Sequence, residues 1–218
     1  MPPRPVSPRE AVRKILELFS GREPWWVGEG LDPFWIMVAA AVSPRTTGRL
    51  TERAVRRLME RFPGGAEDVA SADVSEVEEA VSVSGMKRSK ARAVKAIASW
   101  LLSGGLERIS SASLEEARRE LLSIPGVGDK VADVILMALG RPVLPVDVHV
   151  RRVSERLGLV SPGAPYSEVR ERLEEIFDPE ERASAHFALI AFGREICRAR
   201  PRCSECPIRE ACPSADKF

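Results

Sequence analysis

Hydrophobic residues recur every three or four positions along most of this chain, which is the period of an amphipathic α-helix. Val12, Ile15 and Phe19 follow this spacing behind residues 7–10, whose sequence Ser-Pro-Arg-Glu is a capping box with proline at the first helical position. The same period predicts further helices over residues 34–42, 47–62, 68–83, 88–102, 113–122, 129–139, 147–157, 167–177 and 180–196. The pattern therefore predicts about ten short helices.

One predicted helix, over residues 34–42, has no polar face, which is typical of a helix at the centre of a bundle. No segment alternates convincingly between apolar and polar residues as a half-buried β-strand does. Residues 143–146 are apolar enough for a strand, but the prolines in and beside them favour a loop. Short helices without strands predict a compact all-α fold.

Length and charge narrow the class of protein. The chain has 218 residues, enough for one large or two small domains. Its 33 basic and 32 acidic groups give a net charge of +1, so the net charge alone does not indicate a nucleic-acid partner. The longest apolar run, over residues 34–42, is far too short to span a bilayer. We therefore expect a soluble intracellular protein without a membrane partner.

The most informative segment joins two predicted helices through a turn that contains two glycines. Residues 124–128 are Ile-Pro-Gly-Val-Gly, and the second helix begins directly behind them. Gly126 and Gly128 are expected to allow a positive φ and a close backbone approach. The first amides of the second helix have no helical partner, so they can bind an anion such as a DNA phosphate. A helix connection without a ligand is the alternative, because short glycine motifs often occur without function.

Lys130 and Asp147 are the candidates for chemistry. Lys130 is one of only six lysines, and it falls in the first turn of the helix behind the hairpin. A primary amine that has lost its proton can attack an electrophilic sugar carbon and form a Schiff base. Asp147 fits the N-cap of the following helix, where an ionised carboxylate can stabilise positive charge that develops on a sugar. The alternatives are a solvated lysine and an aspartate that only caps its helix.

All four cysteines lie within the last 22 residues, which in an intracellular protein indicates a metal site before disulfides. They are Cys197, Cys203, Cys206 and Cys212. Structural zinc sites usually have two separated Cys-x2-Cys pairs, and this segment has one, so the spacing favours an iron–sulfur cluster while zinc stays open. Three arginines between the first two cysteines indicate phosphate contacts or a merely solvated segment. They are Arg198, Arg200 and Arg202.

Together these motifs resemble the endonuclease III family of DNA glycosylases and AP lyases. The similarity runs from about residue 31 to residue 212. It is carried by residues 124–130, by the stretch 146–153 that contains Val-Asp-Val-His, and by the Gly-Arg pair at 193–194 before the cysteines. Two spacings are one residue shorter than the commonest family form, that between the first two cysteines and that between Lys130 and Asp147. We interpret both as shorter loops that leave ligation and catalysis intact.

The resemblance implies two helical domains with an active-site cleft between them. The first is a six-helix barrel over residues 30–140, with a helix-hairpin-helix motif at about residues 114–139. The second is formed by residues 1–29 together with residues 141–218. It carries a [4Fe–4S] cluster on the loop 197–212, with the four cysteines as ligands.

By this likeness Lys130 is the nucleophile and Asp147 is its carboxylate partner. The implied reaction removes oxidised pyrimidines from duplex DNA through a lysine Schiff base and β-elimination. In the related adenine glycosylases a residue other than lysine occupies this position. In thymine–guanine mismatch glycosylases the residue is commonly tyrosine. Lysine here therefore indicates a bifunctional enzyme of base excision repair.

The likeness also implies DNA contacts outside the chemistry. The hairpin residues Gly126, Val127 and Gly128 are expected to bind phosphate, and Lys87 begins a basic segment that runs to Lys95. A second set concerns the flipped base. Met86 matches the residue that wedges into the base stack, although a core-filling methionine is the alternative. Arg45 falls where the family has a glutamine that fills the space left by the flipped base.

The arginine at position 45 keeps a second enzyme open, a mismatch-directed uracil or thymine DNA glycosylase of the same fold. A non-catalytic helix-hairpin-helix DNA-binding protein is the other alternative. For the leading hypothesis, the bifunctional glycosylase, we expect a monomer that binds double-stranded DNA with damaged bases or abasic sites. Its expected location is the cytoplasm, in association with the nucleoid.

Overall fold

The computed structural model describes residues 7–28 and 30–217, and these residues form helices without any β-strand. The all-α prediction is therefore confirmed. Thirteen α-helices are found in this part of the chain, together with short 3-10 turns. In chain order they are α1 (Pro8–Phe19), α2 (Trp25–Gly28), α3 (Pro33–Val42), α4 (Gly48–Arg61), α5 (Ala66–Ser71), α6 (Val74–Val81), α7 (Lys87–Leu102), α8 (Gly105–Ser111), α9 (Leu114–Leu122), α10 (Asp129–Ala138), α11 (Val148–Arg156), α12 (Tyr166–Glu174) and α13 (Arg182–Glu195).

The chain divides into two compact units. The central unit comprises Pro24–Arg141 and contains α2 to α10. The terminal unit comprises Met1–Glu23 and Pro142–Phe218 and contains α1 and α11 to α13. In the described part of the chain no helix has both the length and the apolar character needed to cross a membrane.

Helix α3 forms the centre of the central unit, as its apolar pattern predicts. Eight of its ten residues are buried, and it packs against α4, α7 and α10. Its start is encoded locally, because Pro33 occupies the first turn and the Asp32 carboxylate accepts a hydrogen bond of 2.8 Å from the amide of Phe34. Helix α10 begins directly behind the glycine hairpin and packs against α3. The buried helix α3 therefore supports the second helix of the hairpin.

Helix α8 was not predicted, because the glycines at 104 and 105 indicate only the end of α7. Gly104 adopts a φ of +79° and becomes the N-cap of α8, and Gly105 is the first helical residue. A Cβ atom on Gly105 would lie 2.3 Å from ring carbons of Trp100, so the absence of a side chain lets the indole pack there. A pair of glycines can thus end one helix and begin the next. The short helix α2 was also not predicted.

The basic segment 87–95 is less exposed than its sequence indicates. The Lys95 ammonium donates hydrogen bonds to the carbonyls of Val69 and Ala70, at 3.1 and 3.0 Å, and also to that of Ala72. These carbonyls belong to the end of α5, where a cation offsets the partial negative charge of the helix terminus. Lys90 is buried and donates to the carbonyl of Ser84 at 2.7 Å. The expectation that this basic segment faces DNA is therefore wrong for these two lysines.

The terminal unit is built on α13, against which α1 and α11 pack. Its buried core includes Val12 and Ile15 from α1, Val150 from α11 and Phe192 from α13. Residues 143–146 form no strand and are fully or nearly buried, so the loop prediction is confirmed.

The buried loop 143–146 leads directly into Asp147 and is held on three sides. The amide of Leu144 donates to a carboxylate oxygen of Glu174 at 2.9 Å, and the amide of Val146 donates to the Tyr166 hydroxyl at 3.2 Å. The Nδ1 atom of His186 donates to the carbonyl of Pro145 at 2.8 Å. These contacts satisfy the buried backbone and fix the position from which α11 begins.

Candidate active site and cysteine segment

The two glycines of the hairpin have different structural roles. Gly126 adopts a φ of +89°, and a Cβ atom there would lie 2.7 Å from the Cβ atom of Ala93 on α7. Gly128 has a φ of −106°, and a Cβ atom there would meet nothing within 4 Å. The expectation of a positive φ and a close approach is thus met by Gly126 and is wrong for Gly128. Hence only Gly126 is required for packing.

The start of α10 is free of any side-chain cap. Gly128 is the N-cap and supplies no side-chain acceptor, so the first amides of α10 are not occupied by a capping side chain. Gly126 and Gly128 are exposed at this point, and Val127 is buried with its amide bonded to the carbonyl of Ile124 at 3.0 Å. An exposed helix N-terminus of this kind suits an anion, although the carboxylate of Asp129 lies in the same turn.

A buried ion pair holds the two helices of the hairpin together. The Nε atom of Arg118 on α9 donates to an oxygen of Asp133 on α10 at 2.8 Å, and both side chains are buried. Removal of Arg118 would take the cation away from the fully buried Asp133 carboxylate, whereas Arg118 also pairs with Glu115 on its own helix. The pair of Arg118 and Asp133 was not predicted from the sequence. The sequence feature that could have indicated the pair is a charged residue within the apolar face of each of the two helices, α9 and α10.

Lys130 is half-buried in the first turn of α10, and its amine contacts α3. The Nζ atom donates a hydrogen bond of 2.9 Å to the hydroxyl of Ser43, the C-cap residue of α3. Ser43 was not predicted as a site residue, and 87 positions separate it from Lys130. The contact gives the amine a defined position, which a solvated lysine lacks.

Arg45 and Met86 share an unusual backbone conformation. Their φ angles are +54° and +49°, and among the described residues they are the only non-glycine residues with positive φ. Such strained conformations concentrate at functional sites. Met86 is 50% exposed, so the core-filling alternative is wrong, while its role as a wedge stays a prediction. Arg45 is also exposed, and Lys87 beside Met86 lies 3.8 Å from the carboxylate of Glu78.

Asp147 caps α11 as the sequence predicts. One carboxylate oxygen accepts hydrogen bonds from the amides of His149 and Val150, both at 2.8 Å. The second oxygen has no part in this cap, and the residue is half-buried. Asp147 belongs to the terminal unit, whereas Lys130 belongs to the central unit.

Behind Asp147, helix α11 is joined to the end of α13. Arg152 donates from Nη2 to the carbonyl of Gly193 at 2.8 Å and from Nε to the carbonyl of Cys197 at 2.9 Å. It also donates to Nδ1 of His149 at 3.0 Å, and burial lowers the pKa of this imidazole. A Cβ atom on Gly193 would lie 2.9 Å from the Cβ atom of His149. His149 therefore has a structural role, and the motif residues 147–153 and 193–197 form one packed assembly.

The four cysteines line one recess of the terminal unit. All four thiols are free, and the recess is closed by apolar side chains such as Phe192 and Ile208. Burial raises the pKa of the Cys206 and Cys212 thiols, and the other cysteines act in the same direction. Four cysteine sulfurs that line one recess could hold an iron–sulfur cluster or a zinc ion. Among the described residues, no three histidine, cysteine, aspartate or glutamate side chains lie close enough together to hold a single metal ion.

Arg156 connects α11 to the cysteine segment. Its Nη1 atom donates to the sulfur of Cys197 at 3.4 Å, and its carbonyl accepts a long hydrogen bond of 3.6 Å from the thiol of Cys212. Its Nη2 atom donates to the carbonyl of Ala199 at 3.1 Å. This residue was not predicted, because an arginine late in a surface helix has no distinguishing pattern.

The three arginines that precede Cys203 differ in their surroundings. Arg198 folds back and donates to the carbonyls of Arg194 and Glu195, at 3.0 and 3.2 Å, which satisfies the end of α13. Arg202 lies 3.5 Å from the carboxylate of Glu205 in an exposed pair. Arg200 is exposed. Their contacts with phosphate stay a prediction.

Comparison with known proteins gives concordant matches in sequence and structure. The profile of the HhH-GPD superfamily of base excision DNA repair proteins matches residues 38–179. Endonuclease III of Bacillus subtilis is 33% identical over 190 residues, which are 85% of this chain and 83% of that protein. Endonuclease III of Thermotoga maritima is 34% identical over 207 residues, which are 93% and 91% of the two chains.

Among solved structures, a trapped covalent intermediate of endonuclease III with DNA, an estranged-adenine complex, matches with a TM-score of 0.82. It is 29% identical in sequence, and the match covers 96% of this chain and 95% of that chain. A non-covalent complex of endonuclease III with DNA matches with the same TM-score and coverage. The match therefore includes residues of both units.

Proposed function

Since this chain belongs to the HhH-GPD superfamily of base excision DNA repair proteins, we propose that it is a bifunctional DNA glycosylase and AP lyase that removes oxidised pyrimidines from duplex DNA. The observation that carries this proposal is the amine of Lys130, half-buried directly behind the glycine hairpin and held by Ser43. A hairpin that only binds phosphate needs exposed amides, and it does not need an amine in a defined position.

In the proposed reaction the damaged nucleotide is flipped out of the stack, which costs a few kcal/mol and least for a weakened pair. The unprotonated amine of Lys130 attacks C1′, and the bond between C1′ and the base breaks. The base leaves with the bonding electron pair and takes up a proton, and the attacking nitrogen loses one. The C1′–O4′ bond then breaks, O4′ takes up a proton, and a Schiff base remains.

The lyase step uses the same imine. Loss of a proton from C2′ sends electrons toward the imine and expels the 3′ phosphate by β-elimination. Water then hydrolyses the imine and restores the Lys130 amine. We assign to Asp147 the stabilisation of positive charge on the sugar during base loss, because one oxygen is used by the cap and the other is available.

We propose that the protein acts as a monomer and that residues of both units contact the duplex. The exposed amides at the start of α10 would bind a backbone phosphate, which positions the protein without reading sequence. Met86 would enter the base stack, since an apolar side chain held exposed by a left-handed backbone is suited to a wedge. Lys87 and Arg200 would add phosphate contacts.

The proposed substrate is tested with a panel of duplexes that carry an oxidised pyrimidine, a uracil or thymine opposite guanine, an abasic site, or no lesion. We expect base release from the oxidised pyrimidines, and strand cleavage together with borohydride trapping on these and on abasic duplexes. Release of uracil or thymine without trapping would contradict the proposal and favour the mismatch-directed glycosylase. Arg45 supports that second candidate, because it replaces the glutamine of the resemblance with a longer cation that is exposed.

The cysteines are proposed to hold a [4Fe–4S] cluster, with Cys197, Cys203, Cys206 and Cys212 as ligands. The cluster would supply structure by closing the segment 197–212 over the core, against which three of the cysteines pack. We expect a brown protein with about four irons per chain and visible charge-transfer absorbance. Removal of the iron should lower the melting temperature. Stoichiometric zinc without visible absorbance would contradict the assignment.

The hairpin glycines give a further prediction, since one can be changed without strain. Gly128→Val is expected to weaken binding to every duplex about tenfold, because its side chain would project where a phosphate approaches the amides. Its melting temperature should fall less than that of Gly126→Ala, since no atom lies within 4 Å of the new Cβ atom and only the N-cap preference for glycine over valine is lost. Fluorescence anisotropy with lesion and undamaged duplexes measures the effect.

Gly126→Ala is the contrasting variant, and it should lower stability through its contact with Ala93 and its positive φ. A loss of affinity confined to one lesion in Gly128→Val would contradict a phosphate-binding role.

A further inference from the structure

We propose that Ser43 is a positioning residue for the nucleophile. Its hydroxyl oxygen holds the Lys130 amine by accepting a hydrogen bond from one of the N–H groups. This inference rests on the proposed role of Lys130. Ser43 lies in a different segment of the sequence from Lys130, and no sequence motif connects that segment with the hairpin. The distance between Nζ of Lys130 and Oγ of Ser43 is 2.9 Å.

The direction of this hydrogen bond follows from a second contact. The Ser43 hydroxyl donates to the carbonyl of Ala40 at 2.9 Å. A hydroxyl has a single proton and two lone pairs, so the proton used for Ala40 is not available to Lys130. Ser43 therefore presents a lone pair to the amine and accepts the hydrogen bond from Lys130.

An acceptor suits a lysine that must attack a sugar carbon. The ammonium form has three N–H donors, and the neutral form keeps two together with its own lone pair. Both forms can donate to Ser43, so the contact survives the loss of the proton that activates the amine. A donor at this position would instead bind the nitrogen lone pair and compete with attack on C1′.

The acceptor is also rigid. Ser43 is the C-cap of α3, and its amide donates to the carbonyl of Ala39 at 3.0 Å. Helix α3 is almost entirely buried and packs directly against α10, which carries Lys130. A lysine side chain has several rotatable bonds, so a fixed acceptor restricts the amine to fewer positions. Misplacement of a reacting group by about 1 Å can reduce a rate about 100-fold.

The test is the single-turnover rate of borohydride trapping on an abasic duplex, with enzyme in excess. Ser43→Ala is expected to lower this rate about 10- to 100-fold and to leave the dissociation constant for DNA unchanged. Ser43→Thr, which retains the hydroxyl, should restore most of the rate. If Ser43→Ala were slow because the fold was damaged, its DNA affinity should fall as well. A slow rate with unchanged DNA affinity, and recovery of the rate in Ser43→Thr, would therefore assign the effect to the hydroxyl.

Ser103 provides a matched control. It is the C-cap of α7, its hydroxyl donates to the carbonyl of Trp100 at 2.8 Å, and it accepts from Nη2 of Arg108 at 3.4 Å. Ser103→Ala removes the same kind of cap and the same kind of cation contact away from Lys130. Its trapping rate should equal that of the wild type.

Two results would overturn the inference while leaving the proposed function intact. In the first, Ser43→Ala and Ser103→Ala trap at the same rate. In the second, a folded Ser43→Thr is as slow as Ser43→Ala. If the wild type forms no adduct, the proposed function fails first and the role of Ser43 fails with it.

Discussion

Lys130→Ala is expected to lower borohydride trapping and strand cleavage by more than about 1,000-fold, because the substituted residue is the group that would form the imine. DNA affinity should change little, since the α10 amides proposed to bind phosphate are backbone groups that alanine retains. Trapping on an abasic duplex, followed by denaturing electrophoresis, measures the first effect. Fluorescence anisotropy with the same duplex measures the second.

Lys87→Ala is the matched control for Lys130→Ala. Lys87 is an exposed lysine of the same unit, its pairing with Glu78 at 3.8 Å is weak, and it lies beside the predicted wedge Met86. Its removal should weaken binding slightly and leave trapping at saturating DNA unchanged. Normal trapping by Lys130→Ala would show that another amine, such as the N-terminus or Lys87, is the nucleophile, and the proposed site would then be wrong.

Sequence periodicity predicted the features whose signals lie within a few residues. The Ser7 capping box and the Asp147 cap of α11 each involve a side chain and an amide two or three positions away. Such contacts depend on local geometry alone, so the residue types and their order are sufficient to predict them. The all-α fold followed from the same period.

The residues that the sequence did not reveal depend on distant parts of the chain. Ser43 acquires its importance only because α3 and α10 pack together, and Arg118 only because Asp133 faces it from the next helix. Gly126 and Gly128 are equivalent in the sequence motif, and the approach of Ala93 on α7 makes them different. Burial and approach between helices are tertiary properties, which a pattern within one segment does not contain.

The carboxylate of Asp147 caps α11, and substitutions can separate this cap from its proposed electrostatic role. Asp147→Asn is expected to keep the fold, because an amide oxygen can accept the same two hydrogen bonds from His149 and Val150. Base release should nevertheless fall about 100- to 1,000-fold, because the negative charge that stabilises the sugar cation is lost. Single-turnover base release, detected by alkaline cleavage of a lesion duplex, measures this effect.

Asp147→Ala removes the cap as well as the charge, so it should be slow and should also lose about 1 kcal/mol of stability. A difference between the two variants in thermal unfolding, with similar slow base release in both, would assign the rate to the charge and the stability to the cap. If Asp147→Asn instead releases bases at the wild-type rate, the carboxylate serves only as a helix cap. The stabilisation of the sugar cation must then come from a different group.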